Sequence, residues 1–283
     1  MKHYVALTKP RITWLILMST GMGYYFGLAG ALNFWSLLHT ILGTGLIASG
    51  TAALNQWYER DADALMRRTS HRPLPSGLLA APNALVFGLV LSLLGFLQLG
   101  IGVNWLSAGL GLFTLVTYLC LYTPLKRISP LSTTIGAVPG AMPPLIGFAA
   151  ASGTLNAQAW VLYAILFLWQ FPHFYAIAWM YREDYGRAGI QMLPVVEPDG
   201  ESTVRQMLLF SLLLIPVSLL PAFLDMTGNF YLAGTFAAGL AFVAACVRMA
   251  KDRSLLKARS VLLVSVVYLP VLYALLLLDR SRG

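Results

Sequence analysis

The chain has 283 residues, 58% of them hydrophobic and only 11% charged, against about 25% charged in ordinary soluble domains. That deficit excludes a soluble enzyme and a disordered chain. The formal net charge of +8 invites a nucleic-acid reading, but the placement of the cations excludes it and makes the charge a sign of membrane topology.

Uncharged intervals set out the helices in chain order. A bilayer core takes about 20 apolar residues per helix. Residues 12–58, 73–125 and 128–181 contain no Asp, Glu, Lys or Arg. Each interval holds two helices and a turn, at Gly30–Asn33, Gly102–Asn104 and Ser152–Asn156. Residues 206–224, 226–247 and 260–278 hold one helix each. The expectation is an all-α membrane protein of nine transmembrane helices, a single domain over 1–283. The opening MKHYVALTKPRI has no cleavable signal pattern, because its apolar run continues into a full helix.

With nine helices, one face receives the N-terminus and the segments 59–72, 126–127, 182–205 and 248–259. These carry 17 of the 19 Lys and Arg residues; Arg280 and Arg282 are left for the other face. The rule that cations stay inside then places the N-terminus in the cytoplasm and the C-terminus outside. Nine of the 11 acidic residues lie on the cytoplasmic face, Asp225 and Asp279 being the exceptions. Polar chemistry is therefore expected there. Cys120 and Cys246 have no metal-ligand spacing and read as small buried hydrophobes. His39 reads as structural, and His71 as solvated or phosphate-adjacent.

The first polar segment runs from Asn55 to Gly77, NQWYERDADALMRRTSHRPLPSG. At about 100° per residue, Asn55, Glu59 and Asp63 share an arc of about 80°, and Asp61 points off it. An amide and two carboxylates on one helix face suit Mg²⁺, a hard cation that keeps waters and phosphate oxygens as further ligands. Arg67, Arg68 and Arg72 follow, and guanidinium forks complement phosphate oxygens. Two readings stay open here: a Mg–diphosphate site, or a juxtamembrane loop whose acids and arginines pair with one another.

Between the two acidic segments, YTPLKR ends at Lys126 and Arg127, which extend the electropositive rim. Pro139, Gly140, Pro143 and Pro144 make the next helix breakable. The second polar segment, Leu168 to Pro194, places Gln170, His173, Tyr181 and Asp184 on one arc of a continuous helix. Glu183, Asp184 and Arg187 form a second charged cluster at its cytoplasmic end. His173 is the one titratable side chain deep in an uncharged span, where such groups face a cavity or the bundle interior. A hydrogen-bonded core histidine, haem iron contact, proton transfer and substrate positioning all remain open for it. Pro172 is expected to kink the helix beside it. Helices two and six share a plan, acids then arginines at the cytoplasmic end, which suggests two half-sites facing one cavity. A lipid or substrate transporter is the competing class, since nine helices with Pro and Gly breaks permit it.

At these residues the chain resembles the UbiA-type intramembrane prenyltransferases. That family carries Asn-x₃-Asp-x₃-Asp on helix two, then Arg-Thr and Arg-Pro-Leu. Here the matching residues are Asn55, Glu59, Asp63, Arg68, Thr69, Arg72, Pro73 and Leu74, with Glu59 in place of the first aspartate. TKPRI, YTPLKR, GAMPPLIG, WQFPHF and DYGRAG resemble its haem-farnesylating branch, and the likeness runs from about residue 8 to 278. A branch acting on quinone-type acceptors is the alternative within the family, and WQFPHF argues against it.

The resemblance implies a nine-helix bundle around a central cavity, farnesyl diphosphate and haem B as substrates, and haem O and diphosphate as products. It implies Mg²⁺ held by Asn55, Glu59, Asp63 and Asp184, with Glu183 standing beside Asp184 where many members have a second aspartate pair. Arg67, Arg68, Arg72, Lys126, Arg127 and Arg187 would bind diphosphate, and Gln170, His173 and Tyr181 would lie on the haem side. It implies no nucleic acid, a bacterial inner membrane, and a haem A synthase or oxidase-assembly protein as partner.

Overall fold

The computed structural model describes residues 1–280, all helical apart from turns and one isolated bridge, Thr227 to Arg280. Arg282, assigned to the outer face, lies outside the described residues. We label the long helices α1 (Pro10–Gly27), α2 (Phe34–Leu65), α3 (Ala81–Gly102), α4 (Trp105–Leu125), α5 (Ser132–Ser152), α6 (Ala157–Met180), α7 (Glu201–Phe223), α8 (Asn229–Lys251) and α9 (Leu255–Leu278). Among the described residues, α2 to α9 are the eight long and apolar enough to cross a membrane by themselves. The ninth, α1, has 18 residues, opens on Pro-Arg and packs lengthwise on α5. Nine helices were expected; α1 owes its place to packing as well as to hydropathy.

The turns fall where the sequence puts them, for a local reason. Each ends in an asparagine whose side chain caps the next helix: Asn33 accepts from the Ser36 amide (3.1 Å), Asn104 from Ser107 (2.8 Å) and Asn156 from Ala159 (3.2 Å). An N-cap oxygen satisfies an amide that the helix cannot satisfy itself. The apolar intervals become hairpins and not single long helices because of these caps.

Small residues set how closely the hairpins pack. On the α2–α3 seam, a Cβ added to Gly43 would lie 3.2 Å from the Gly95 carbonyl oxygen, and one on Gly88 3.2 Å from that of Gly50. Backbone approach of this kind is how membrane helices gain contact without a hydrophobic drive between them. It fixes α2, whose C-terminal end bears Asn55, Glu59 and Asp63.

The two ends of the bundle differ. At one end the acidic and basic segments meet; at the other, Asn104 bonds the Ala149 carbonyl (2.8 Å), and Asp279 accepts the Tyr231 amide at the start of α8 (2.7 Å). One sequence expectation fails here: Cys120 is exposed on the outside of α4 and not buried, whereas Cys246 is buried as expected. Pro172 lies inside α6, which is helical from Ala157 to Met180.

Candidate functional site

The end of the bundle where the acidic and basic segments meet is assembled from five segments. A short helix, Lys2–Leu7, docks by burying Leu7 against Ala53, Leu74 and Ala84, and Gln56 donates to the Leu7 carbonyl (2.8 Å). The chain then turns at Lys9, whose φ of 48° lies in the left-handed region. That conformation is uncommon for a residue with a Cβ and is held here by the docking on one side and Pro10 on the other. It delivers the Lys9 ammonium to α2, where Nζ donates to Asn55 Oδ1 (3.1 Å).

On α2 the predicted face is real. Asn55 donates to Glu59 Oε2 (3.0 Å) and to the Thr123 hydroxyl (3.3 Å). Glu59 Oε1 receives Lys126 Nζ from the end of α4 (2.7 Å), and Asp63, 1% exposed, receives Arg72 (2.7 Å). Asp61 points away, 79% exposed beside Arg60. Thr69 donates to the Asp63 carbonyl (2.9 Å), which folds the 66–72 turn back over the helix end. Burying such pairs costs desolvation, and removing one partner would leave an uncompensated charge. Burial, then the charge of Arg72, lowers the Lys9 pKa to about 8.

The second arm reaches the same place by another route. α6 stops at Met180, because Tyr181 leaves helical geometry, and a new short helix covers Arg182–Arg187. The helical phase is lost there, so the single stripe from Gln170 to Asp184 does not exist. Gln170 is buried and donates to the Ala137 carbonyl (3.1 Å), bracing α5 where its helix breaks between Gly140 and Pro143. His173 turns toward α9. Asp184 is buried, accepts the Arg68 amide (3.1 Å) and pairs with Arg187. Tyr181 and Tyr185 flank Arg68: its guanidinium lies 5.0 Å from the Tyr181 ring centre and donates to the Tyr185 hydroxyl (3.3 Å). The two acidic arms therefore do face one site.

Three predicted residues stand apart. Glu183, Arg67 and Arg127 are exposed, with no side-chain partner among the described residues. Glu183 neighbours Asp184 in sequence, but adjacent helical positions point about 100° apart.

Below the polar rim lies an apolar cavity of about 130 Å³, bounded by Lys9, Ile12 and Ile16 of the first segment, Thr44 and Ala48 of α2, and Tyr118 of α4. The residues Thr117–Tyr122 form a π-helical stretch, a widened turn common at functional sites. It puts Tyr118 at the cavity and Tyr122 against Lys126, 4.3 Å from Nζ to ring centre. Sequence reasoning gives no site role to Lys9, Tyr118 or Tyr185; the signals that could have found Lys9 and Tyr185 are their places in the TKPRI and DYGRAG motifs.

Among the described residues no three His, Cys, Asp or Glu side chains converge as a metal cluster. The donor set nonetheless fits a hard divalent cation, since the oxygens of Asn55, Glu59 and Asp63 each already face a positive group. The cations fit an anion: Arg68 Nε is buried and has no partner.

His173 sits apart from this cluster. Its ring stacks on Trp169 (4.7 Å, 23°), and its Nδ1 lies 2.8 Å from Ser265 Oγ. Ser265 spends its own proton on the Leu262 carbonyl (2.6 Å), so Nδ1 must be the donor. A neutral ring then carries its free lone pair on Nε2.

Comparison with known proteins gives a consistent result. The model of the UbiA prenyltransferase family matches residues 16–275. A protein named protoheme IX farnesyltransferase from Solibacter usitatus is 63% identical over 289 aligned residues, covering 99% of each chain. A protein of the same name from Koribacter versatilis is 46% identical, over 99% of this chain and 94% of its own. Among solved structures, a digeranylgeranylglyceryl phosphate synthase superposes with a TM-score of 0.82 at 17% identity, over 100% of this chain and 99% of its own. A UbiA homologue from Archaeoglobus fulgidus bound to GPP and Mg²⁺ gives 0.67 at 16%, over 97% and 99%.

Proposed function

The chain belongs to the UbiA prenyltransferase family, and we propose from that premise that it transfers the farnesyl group of farnesyl diphosphate to a vinyl group of protohaem IX. The full-length relatives of that activity support the acceptor. The observation that carries the reading is the amphiphilic site: paired cations and carboxylates stand directly above an apolar cavity, with Lys9 belonging to both. A substrate with an anionic head and an isoprenoid tail has that shape. A transporter has no need of it.

Asn55, Glu59, Asp63 and Asp184 would hold Mg²⁺, which neutralises diphosphate charge and polarises the bond to be broken. Lys9, Arg68, Arg72 and Lys126 bind diphosphate oxygens, Arg68 through its unpartnered Nε. The tail enters the cavity and lies against Tyr118. The allylic C–O bond then breaks and its electron pair leaves with diphosphate, whose charge the four cations stabilise. Tyr118 and Tyr122 offer ring faces to the allylic cation. The π electrons of the haem vinyl group form the new C–C bond. The resulting cation, conjugated with the porphyrin, takes up water and loses a proton, giving the hydroxyethylfarnesyl group of haem O. His173, with Nε2 free, orients the haem by its iron or accepts the proton of that water.

We read the chain as one domain over 1–283 in a bacterial inner membrane, with the site and N-terminus cytoplasmic and the C-terminus outside. A haem A synthase or oxidase-assembly protein would receive the product. The test is conversion of haem B to haem O by the purified chain, with release of pyrophosphate, dependent on Mg²⁺. Orientation is tested by single cysteines and an impermeant reagent: position 152 should label from outside, and position 70 only after permeabilisation.

A further inference from the structure

Ser265 of α9 holds two rings of α6 at once. Its side-chain oxygen accepts the Nδ1–H of His173 (2.8 Å), and its backbone carbonyl accepts the indole N–H of Trp169 (2.8 Å). The two rings stack on each other, 4.7 Å between centres and 23° between planes. The Ser265 hydroxyl proton is committed to the Leu262 carbonyl (2.6 Å), and the residue is fully buried. The imidazole therefore has a fixed orientation and a fixed tautomer. Its other nitrogen, Nε2, has no hydrogen-bond partner among the described residues, and His173 is only half-buried. This frame stands beside the substrate cavity. His173 is one turn from Gln170, about 4.5 Å along α6, and Gln170 packs on Gly140 of the cavity wall.

A fixed imidazole with one free lone pair can take a proton or bind a metal, and its surroundings decide between the two. A base becomes an imidazolium, and a buried cation needs an anion beside it. None of the ion pairs among the described residues includes His173. Its ring neighbours are Trp169, Phe174 and a hydroxyl whose proton is already spent. Binding iron keeps the ring neutral. Histidines that bind metals hold their second N–H on an acceptor that fixes ring and tautomer, as Ser265 does here. We propose that His173 Nε2 is an axial ligand of the haem iron and that Ser265 is the residue that positions it. This rests on the farnesyl-transfer reading above, since the iron belongs to the acceptor. The Nε2 lone pair is donated to the iron with no change of oxidation state. Ser265 touches neither substrate and acts only through His173 and Trp169.

The experiment titrates the purified full chain with haem B in the absence of donor and reads the absorption spectrum and Kd of the bound haem. Conversion to haem O is assayed separately. Wild type should show the spectrum of imidazole-ligated haem. His173→Gly should lose it, and added imidazole should restore it together with part of the conversion. Ser265→Ala should keep that spectrum and weaken haem B binding by about 10- to 100-fold, the usual cost of losing the partner that orients a metal ligand. Its binding of farnesyl diphosphate should be unchanged. Ser265→Thr, which keeps the hydroxyl, should bind haem B like the wild type. Should Ser265→Ala not fold, Ser265→Cys, a weaker acceptor of similar size, decides by the same criterion. A bound-haem spectrum that His173→Gly leaves unchanged would overturn the ligand assignment, even where conversion falls, since that is the signature of a base. Ser265→Ala that binds haem B as tightly as wild type would overturn the positioning role. Wild-type protein that neither binds nor converts haem B would overturn the farnesyl-transfer reading itself, whereas conversion without imidazole-ligated haem overturns this proposal alone.

Discussion

The C-terminal ends of α2 and α6 lead into the same ingredients, acids followed by arginines, yet they build their halves of the site differently. On α2 the helix persists to Leu65, so Asn55, Glu59 and Asp63 keep one face, Asn55 and Asp63 buried and Glu59 half-buried. Two of their partners come from distant segments: Lys9 for Asn55 and Lys126 for Glu59. On α6 the helix ends at Met180, before its acids begin. One of that pair, Asp184, is buried against Arg68 and Arg187, and the other, Glu183, faces solvent. The difference teaches that a repeat spacing predicts a shared face only as far as the helix lasts.

The sharpest way to break this contrast is Asp63→Asn. The amide can still accept from Arg72, so the fold should hold, but an amide is a poor ligand for a hard cation. Turnover should fall by about a thousandfold or more, the size of losing a principal charge-stabilising group. An active Asp63→Asn beside an inactive Asp61→Asn would sink the face argument. Lys9→Met comes next. Losing one charged hydrogen bond should lower kcat/KM for farnesyl diphosphate by about 10- to 100-fold, with helical content unchanged by circular dichroism.

Asp184→Asn should cost about 10- to 100-fold, since it removes a carboxylate that orients Arg68 as well as facing the site. If it costs as much as Asp63→Asn, the two arms are equivalent and the contrast is lost. His173→Ala should depress haem B conversion about tenfold while farnesyl diphosphate binding stays near wild type, because its partners lie on α9 and not at the diphosphate. A loss of diphosphate binding first would return it to a structural role. The smallest effect is expected at Glu183→Gln, within about twofold of wild type, as for exposed positions in general. A large loss there would show that the short Arg182–Arg187 helix turns over during catalysis.

The sequence was most legible where physics is local. Eight of the nine helix spans follow from hydropathy alone, since each is long and apolar enough to fill the bilayer by itself. The three hairpin turns follow from asparagine caps, and the Asn55–Glu59–Asp63 face from unbroken helical periodicity. The resemblance in WQFPHF and the Asn-x₃-Glu-x₃-Asp run carried the family, which the match over residues 16–275 bears out. The sum of charges at one end was also visible, because cations retained on one side are counted without knowing any contact.

What only the tertiary structure decided involves segments that meet across the chain. Lys9 reaches Asn55 because Leu7 is buried 46 or more positions away in sequence, a fact no window of residues contains. Arg68 is oriented by Asp184, 116 residues later, and His173 has its tautomer set by Ser265 on α9. Periodicity fixes which way a side chain leaves its own helix; only packing fixes what it finds there, because the partner's depth and rotation are set by every other contact in the bundle.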